Sequence, residues 1–298
     1  MSEESTITIE ALSGRALSRR RRVTDSVAAA AMVVAFLLAA VPLAIVVGFL
    51  LSKGASLISW EFFTADIPNV QSVEGPGMGP AIAGTLAITG FAALLAIPLG
   101  IAGAIYLNEY GKQSRLARVV RFMTDVMTGV PSIVMGLFIY VVWVTRVEAL
   151  TGLAGSLALA CLMLPVVVRS TEEMLRLVPQ DLRNGSLALG SRTWTTTLRV
   201  VLPVALPGIV SGAMLAIARA AGETAPIILV TGTTLTTNWS IFEGQNTTLA
   251  AQIFDKASLP TDASQQRAWA AALTLVGLVF IFTVLSRAVA ARFSVKTA

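Results

Sequence analysis

Six apolar runs divide this chain, at 27–51, 81–107, 123–145, 153–168, 203–232 and 269–288, and each ends at polar or charged residues. A helix needs about 20 apolar residues to cross the hydrocarbon core of a bilayer, and it satisfies its own backbone hydrogen bonds while doing so. The pattern therefore predicts an all-α integral membrane protein with six transmembrane helices. Charged residues make up 13% of the chain, against about 25% in an ordinary soluble domain, so the composition agrees.

Lysine and arginine set the orientation, because they accumulate in cytoplasmic flanks. Seventeen of the 22 lie at the N-terminus (Arg15, Arg19–Arg22), in the second-to-third connection (Lys112, Arg115, Arg118, Arg121), in the fourth-to-fifth (Arg169, Arg176, Arg183, Arg192, Arg199) and at the C-terminus (Arg287, Arg292, Lys296). Both termini are thus expected in the cytoplasm, with a basic tail at 1–25 and a six-helix domain at 26–298. SRRRRV, 18–23, resembles the start of an export signal, but the apolar run after it exceeds the roughly 7–15 residues of a signal core, so a retained first helix is expected. The net charge of +5 follows from this topology, and no nucleic-acid partner is implied.

Much catalytic chemistry is excluded. The chain has no histidine, which removes Ser-His dyads, triads and His-ligated metals, and its single cysteine, Cys161, removes disulfide frameworks and Cys-rich metal sites. Its only Gly-Lys, Gly111-Lys112, is followed by Gln113 and lacks the earlier glycine of a phosphate-binding loop. No cofactor or metal is expected, and active transport would need ATP hydrolysis on another polypeptide. An intramembrane enzyme would have only Glu223 or Asp125 as a base.

Two long connections fall outside. In 52–80, ISWEFFT offers Trp60, Phe62 and Phe63 as an interfacial anchor, followed by a flexible EGPGMGP. In 233–268, Thr, Asn and Gln dominate, which suits a solvated connection or a surface for an external partner. The sequons at Asn238 and Asn246 fall in this loop and read as chance matches.

The fourth-to-fifth connection spans 31 residues, Arg169 to Arg199, with Pro179 and Gly190 as punctuation, and predicts helix, turn, helix. Leu175, Val178, Leu182 and Leu189 give it an apolar stripe that suits either a membrane-surface helix or a contact with a cytosolic partner.

Arg219 and Glu223 stand near the middle of the fifth run, where one ionisable group costs about 2.5–3.5 kcal/mol. Four apart, they share a helix face beside Gly212, Ala216 and Ala220, a row of small residues suited to close packing, with Pro226 placed to bend the helix beyond. Two roles stay open: a self-neutralising pair that fixes packing, or a pathway in which Arg219 meets an anion and Glu223 moderates its grip. Arg169 is the other candidate cation, with an ordinary basic flank as its alternative. Asp125 is expected to pair locally with Arg121.

Gly190, nine residues and then Val200-Val201-Leu202-Pro203 resemble the G-x9-I-x-L-P core found in permease subunits of bacterial ABC importers, with Asn184-Gly185-Ser186 where that signature opens Glu-Ala-Ala. GPGMGPAIAGTLAITG (75–90), YLNEYGKQSRLARVVRFMTDVMTGVPSIVMGLF (106–138), LPVVVRSTEEMLRLVP (164–179) and ARAAGETAPIILVTG (218–232) resemble the PstA-type permeases of phosphate importers. The resemblance runs from about residue 60 to 287. It implies the type I importer permease fold with a cytoplasmic coupling helix, in the bacterial plasma membrane. Arg169 is also one of the residues the resemblance points to, and it joins Arg219 and Glu223 as a pathway candidate. The implied ATPase contacts are Leu182, Asn184, Gly185, Ser186, Leu189, Gly190, Leu202 and Pro203. The implied partners are a second permease chain, two cytosolic ATPase subunits, an extracytoplasmic phosphate-binding protein and inorganic phosphate. A permease for another oxyanion, such as sulfate or molybdate, and a membrane sensor subunit are the alternatives.

Overall fold

The computed structural model describes residues 19–70, 75, 77–111 and 114–293. Among them every regular element is helical. The chain forms two compact units, residues 1–52 and 53–298. The first consists, as far as it is described, of α1 (Arg19–Gly54), whose last two residues enter the second unit. Arg20 and Asp25 are already helical, ahead of the boundary expected at residue 25, and residues 1–18 of the expected tail lie outside the described residues.

The second unit carries α2 (Trp60–Thr64), α3 (Gly79–Ile105), α4 (Arg115–Gly129), α5 (Ser132–Ile139), α6 (Gly152–Leu177), α7 (Gln180–Ala188), α8 (Leu202–Ala221), α9 (Ala225–Thr231), α10 (Leu249–Ala257) and α11 (Asp262–Phe293). π-helical turns extend α3 (Tyr106–Gly111), follow α5 (Tyr140–Val144) and precede α8 (Thr197–Val201). Five helical stretches are long and apolar enough to cross a membrane, and a bent pair brings the number to six among the described residues.

Proline and side-chain caps place the breaks. The run expected as one span at 123–145 is α4 and α5, which meet at 108°. Pro131 drives Val130 into extended backbone (φ −71°, ψ 128°), and the first half of α4 carries Arg115, Arg118 and Arg121, so the apolar run covers only its end. The fifth run is also broken. α8 stops at Ala221 and α9 starts at Ala225, because the ring of Pro226 would collide with the carbonyl of Gly222 four residues earlier. Pro203 marks no join, since helix continues from Thr193 through a π turn into α8. α6 continues nine residues beyond the expected end at 168, through Arg169, Glu172, Glu173 and Arg176, whose charges neutralise one another.

α6 is the central element. It packs α3 through Ala92, Ala96, Leu159, Met163 and Val167, and α8 through Ala216 and Ala220. Small residues permit the close approach: a Cβ on Gly100 would stand 2.7 Å from Val167, and one on Gly212 2.4 Å from Ser170. On the side away from the basic connections, Phe62 is buried with Met78, Ala81, Leu249 and Ala270. The expected anchor is thus divided: Phe62 belongs to the core, and Trp60 stays exposed. The 233–268 connection is solvated only in its first part, where most of 233–245 is exposed. Asn246, Thr247, Thr248, Gln252, Lys256 and Arg267 are buried in it, and burial pulls the Lys256 ammonium below the ordinary lysine range while Asp255 opposes the shift.

Candidate functional site

Arg219 lies in the last turn of α8, where its positive charge complements the negative end of the helix dipole, and Glu223 lies in the break that follows. They are therefore at the end of a helix rather than in the middle of one. The i, i+4 relation survives: Arg219 Nε is 3.7 Å from Glu223 Oε1. The Arg219 side chain is 67% exposed and Glu223 17%. Leu162, Met163 and Val166 of α6 line the nook beside them. Gly136 of α5 braces the far side of the break, since a Cβ there would meet Pro226 Cα at 2.6 Å. A gap in an apolar helix, held open by packing on both sides, thus presents one mostly exposed guanidinium.

Arg169 points elsewhere. It pairs with Asp125 of α4, both half exposed, and its Nη1 stands 4.0 Å from Glu172 Oε2. Asp125 therefore reaches across to α6 instead of pairing with Arg121. No ion pair joins Arg169 to Glu223 among the described residues. One α6 turn separates Arg169 from Val166 beside Arg219, so the two candidates lie on one helix pair at different depths.

Arg121 serves the node below. Its Nε donates to Glu172 Oε1 at 2.8 Å and its Nη2 to the carbonyl of Leu107 at 2.7 Å. Arg176 Nη2 donates to the same carboxyl oxygen at 2.6 Å. Glu172, 2% exposed, is thus a buried carboxylate held by arginines from two elements.

α7 forms as the Pro179 and Gly190 punctuation predicts. Pro179 takes the N-cap position. Gly190 sits at φ 83°, and the Gly190 and Ser191 amides donate to the carbonyls of Leu187 and Ser186, the paired closure that lets a helix end sharply at glycine. Asn184, Gly185 and Ser186 are helical rather than part of the turn, and Ser186 hydrogen-bonds Thr196 across it at 2.9 Å. The expected apolar stripe splits in two: Leu175 and Val178 join the core, whereas Leu182, Leu187 and Leu189, the last 89% exposed, face away from it. Leu202 is half-buried against that core and Pro203 is exposed.

The family model described as binding-protein-dependent transport system inner membrane component matches residues 96–295. The chain belongs to this family. Within it, the phosphate transport system permease protein PstA of Mycobacterium leprae is 42% identical over 274 residues, covering 91% of this permease and 90% of the relative. PstA of Yersinia pestis is 40% identical over 243 residues, 81% of each chain. Among solved structures, the permease fold matches an inward-facing MetNI methionine ABC transporter (TM-score 0.60, 21% identity, 72% of this chain and 95% of that one). It also matches a bacterial ABC transporter that imports alginate (TM-score 0.59, 15% identity, 91% and 99%). The permease is thus a multi-pass inner-membrane protein of the type I importer fold.

Sequence reasoning missed two groups in this permease. Glu172 had a readable clue, an acid four residues before Arg176, but its bond to Arg121 spans 51 positions. Glu109 and Arg183, 74 positions apart and both buried, gave no local clue.

Proposed function

We propose that this chain is the permease subunit of an ATP-driven phosphate importer and forms half of its translocation pathway. The observation that carries the pathway is the exposed Arg219 at a break in an apolar spanning helix. A guanidinium in that position needs an aqueous path or a partner chain to solvate it. Glu223, one turn away and more buried, limits its attraction, so that an anion is held briefly and released. Arg169, lower on the same helix pair, provides a second cation toward the basic end of the pathway, with Asp125 moderating it as Glu223 moderates Arg219.

Energy enters through α7. With no nucleotide-binding loop of its own, the permease works with a cytosolic ATPase, which meets the exposed Leu182, Leu187 and Leu189 beside Asn184, Gly185 and Ser186. Gly190 sets the angle of this helix, and Leu202 and Pro203 lie in the helical stretch Thr193–Ala221 whose last turn holds Arg219. The assembly holds two permease chains, two ATPase subunits and an extracytoplasmic phosphate-binding protein, and both termini of this chain are cytoplasmic.

The test is uptake by the whole complex in proteoliposomes. Labelled phosphate, and not labelled sulfate, is expected to accumulate with ATP, and Arg219→Gln is expected to abolish uptake while the complex still assembles. Wild-type uptake by an assembled Arg219→Gln complex would refute the pathway role, and preferential sulfate uptake would refute the substrate.

A further inference from the structure

Arg183 of α7 points inward, away from the face offered to the ATPase. Its Nη1 donates to the carbonyl of Val178 at 2.6 Å and its Nη2 to that of Leu175 at 2.7 Å, carbonyls that the end of α6 leaves without full helical partners. The same guanidinium engages Glu109, through Nη2 to Oε1 at 2.9 Å and Nε to Oε2 at 3.3 Å. Glu109 lies in the π turn that extends α3. One planar fork therefore joins three elements: α7, the end of α6 and the end of α3.

The side chains are 11% and 7% exposed, so these charge-assisted bonds lie largely out of water, where they are strong and hold a defined geometry. Among the described residues it is the only ion pair that α7 makes. Among the described residues, the other side-chain hydrogen bond from α7 to the bundle, Ser186 to Thr196, leads toward α8. The end of α3 is in turn bound to α4, because Arg121 donates to the Leu107 carbonyl. Displacement of α7 can thus reach α3 and α4 through Glu109, by a route separate from the covalent one into α8.

The geometry points to Glu109 and Arg183 as positioning residues for energy coupling: they fasten α7 to α3, so that ATPase movement drives the α3–α4 side of the permease together with the α8 side. This rests on the reading of α7 as the ATPase contact. Without the fork, α7 would still dock and follow the ATPase, but α3 would lag.

The experiment uses the full complex in proteoliposomes and measures ATPase co-purification, ATP hydrolysis and labelled phosphate imported per ATP. Glu109→Gln keeps the size of the side chain and removes its charge. It is expected to retain the ATPase and its hydrolysis while phosphate imported per ATP falls about tenfold. Arg183→Lys keeps the charge but loses the fork, and its ratio is expected to fall between Glu109→Gln and wild type. An unchanged ratio in the Glu109→Gln complex overturns the proposal. So does loss of assembly in both variants, or a fall in hydrolysis and uptake together at constant ratio, since the pair would then be a structural weld only. Failure of the docking reading is distinguishable: Leu189→Asp in an otherwise wild-type chain would leave ATPase co-purification unchanged.

Discussion

Two groups of charges lie against α6, and they differ in how they are satisfied. Around Glu172 a buried carboxylate receives Arg121 and Arg176 at 2.8 and 2.6 Å, and Arg121 spends a further donor on a backbone carbonyl. At the α8 break a single 3.7 Å pair leaves Arg219 two-thirds exposed. The first arrangement draws its partners from within the chain, though Glu172 Oε2 accepts no hydrogen bond and meets only Arg169 Nη1, at 4.0 Å. The second is complete only with something from outside it: water, a partner chain or an anion. Buried charges that are fully engaged hold a fold together, whereas an exposed charge in an apolar helix has no structural reason to be there.

Substitutions along α6 and its neighbours break or sharpen this contrast, read first as stability of the purified complex in thermal denaturation. Glu172→Leu removes the carboxylate that Arg121 and Arg176 share. A loss of about 3 kcal/mol is expected, at the low end for a broken buried pair because Arg176 is half exposed. Gly136→Ala pushes a Cβ onto Pro226 backbone and should cost about 1–3 kcal/mol, with uptake reduced because the break would shift. Gly190→Ala meets no atom within 4 Å, so only the left-handed backbone penalty of about 1 kcal/mol remains, and a larger loss would mean that the α7 turn is packed more tightly than it looks. Arg219→Gln should change stability by less than about 0.5 kcal/mol while uptake is lost. If it destabilises the complex as much as Glu172→Leu, the two groups of charges are alike and the pathway role fails.

Much of the fold was legible because lipid imposes a simple rule, about twenty apolar residues per crossing, and six such runs stand out. The punctuation of α7 was legible too, since Pro179 and Gly190 act through local backbone geometry. Continuity of a run was not. An apolar stretch reads the same whether it is straight or broken, so the 108° turn at Pro131 appeared only in the structure, whereas the gap at Gly222 falls where Pro226 was expected to bend the fifth run. At the site, Arg219 and Glu223 were visible as anomalies of hydropathy. The partners of Arg121, Arg169 and Arg183 were not, because each reaches a residue 44 to 74 positions away.

By itself, then, the sequence determined that this chain lives in a membrane, carries no G-x-x-x-x-G-K-[ST] phosphate-binding loop and places a pair of charges where lipid would exclude them. Those are properties of composition and short-range spacing. Only the tertiary structure decided that Arg219 ends a helix and faces outward, that Asp125 belongs to Arg169, and that Arg183 binds α7 to α3. Ion pairs depend on which helix ends meet, and packing of distant segments, through small residues such as Gly100 and Gly212, makes that choice.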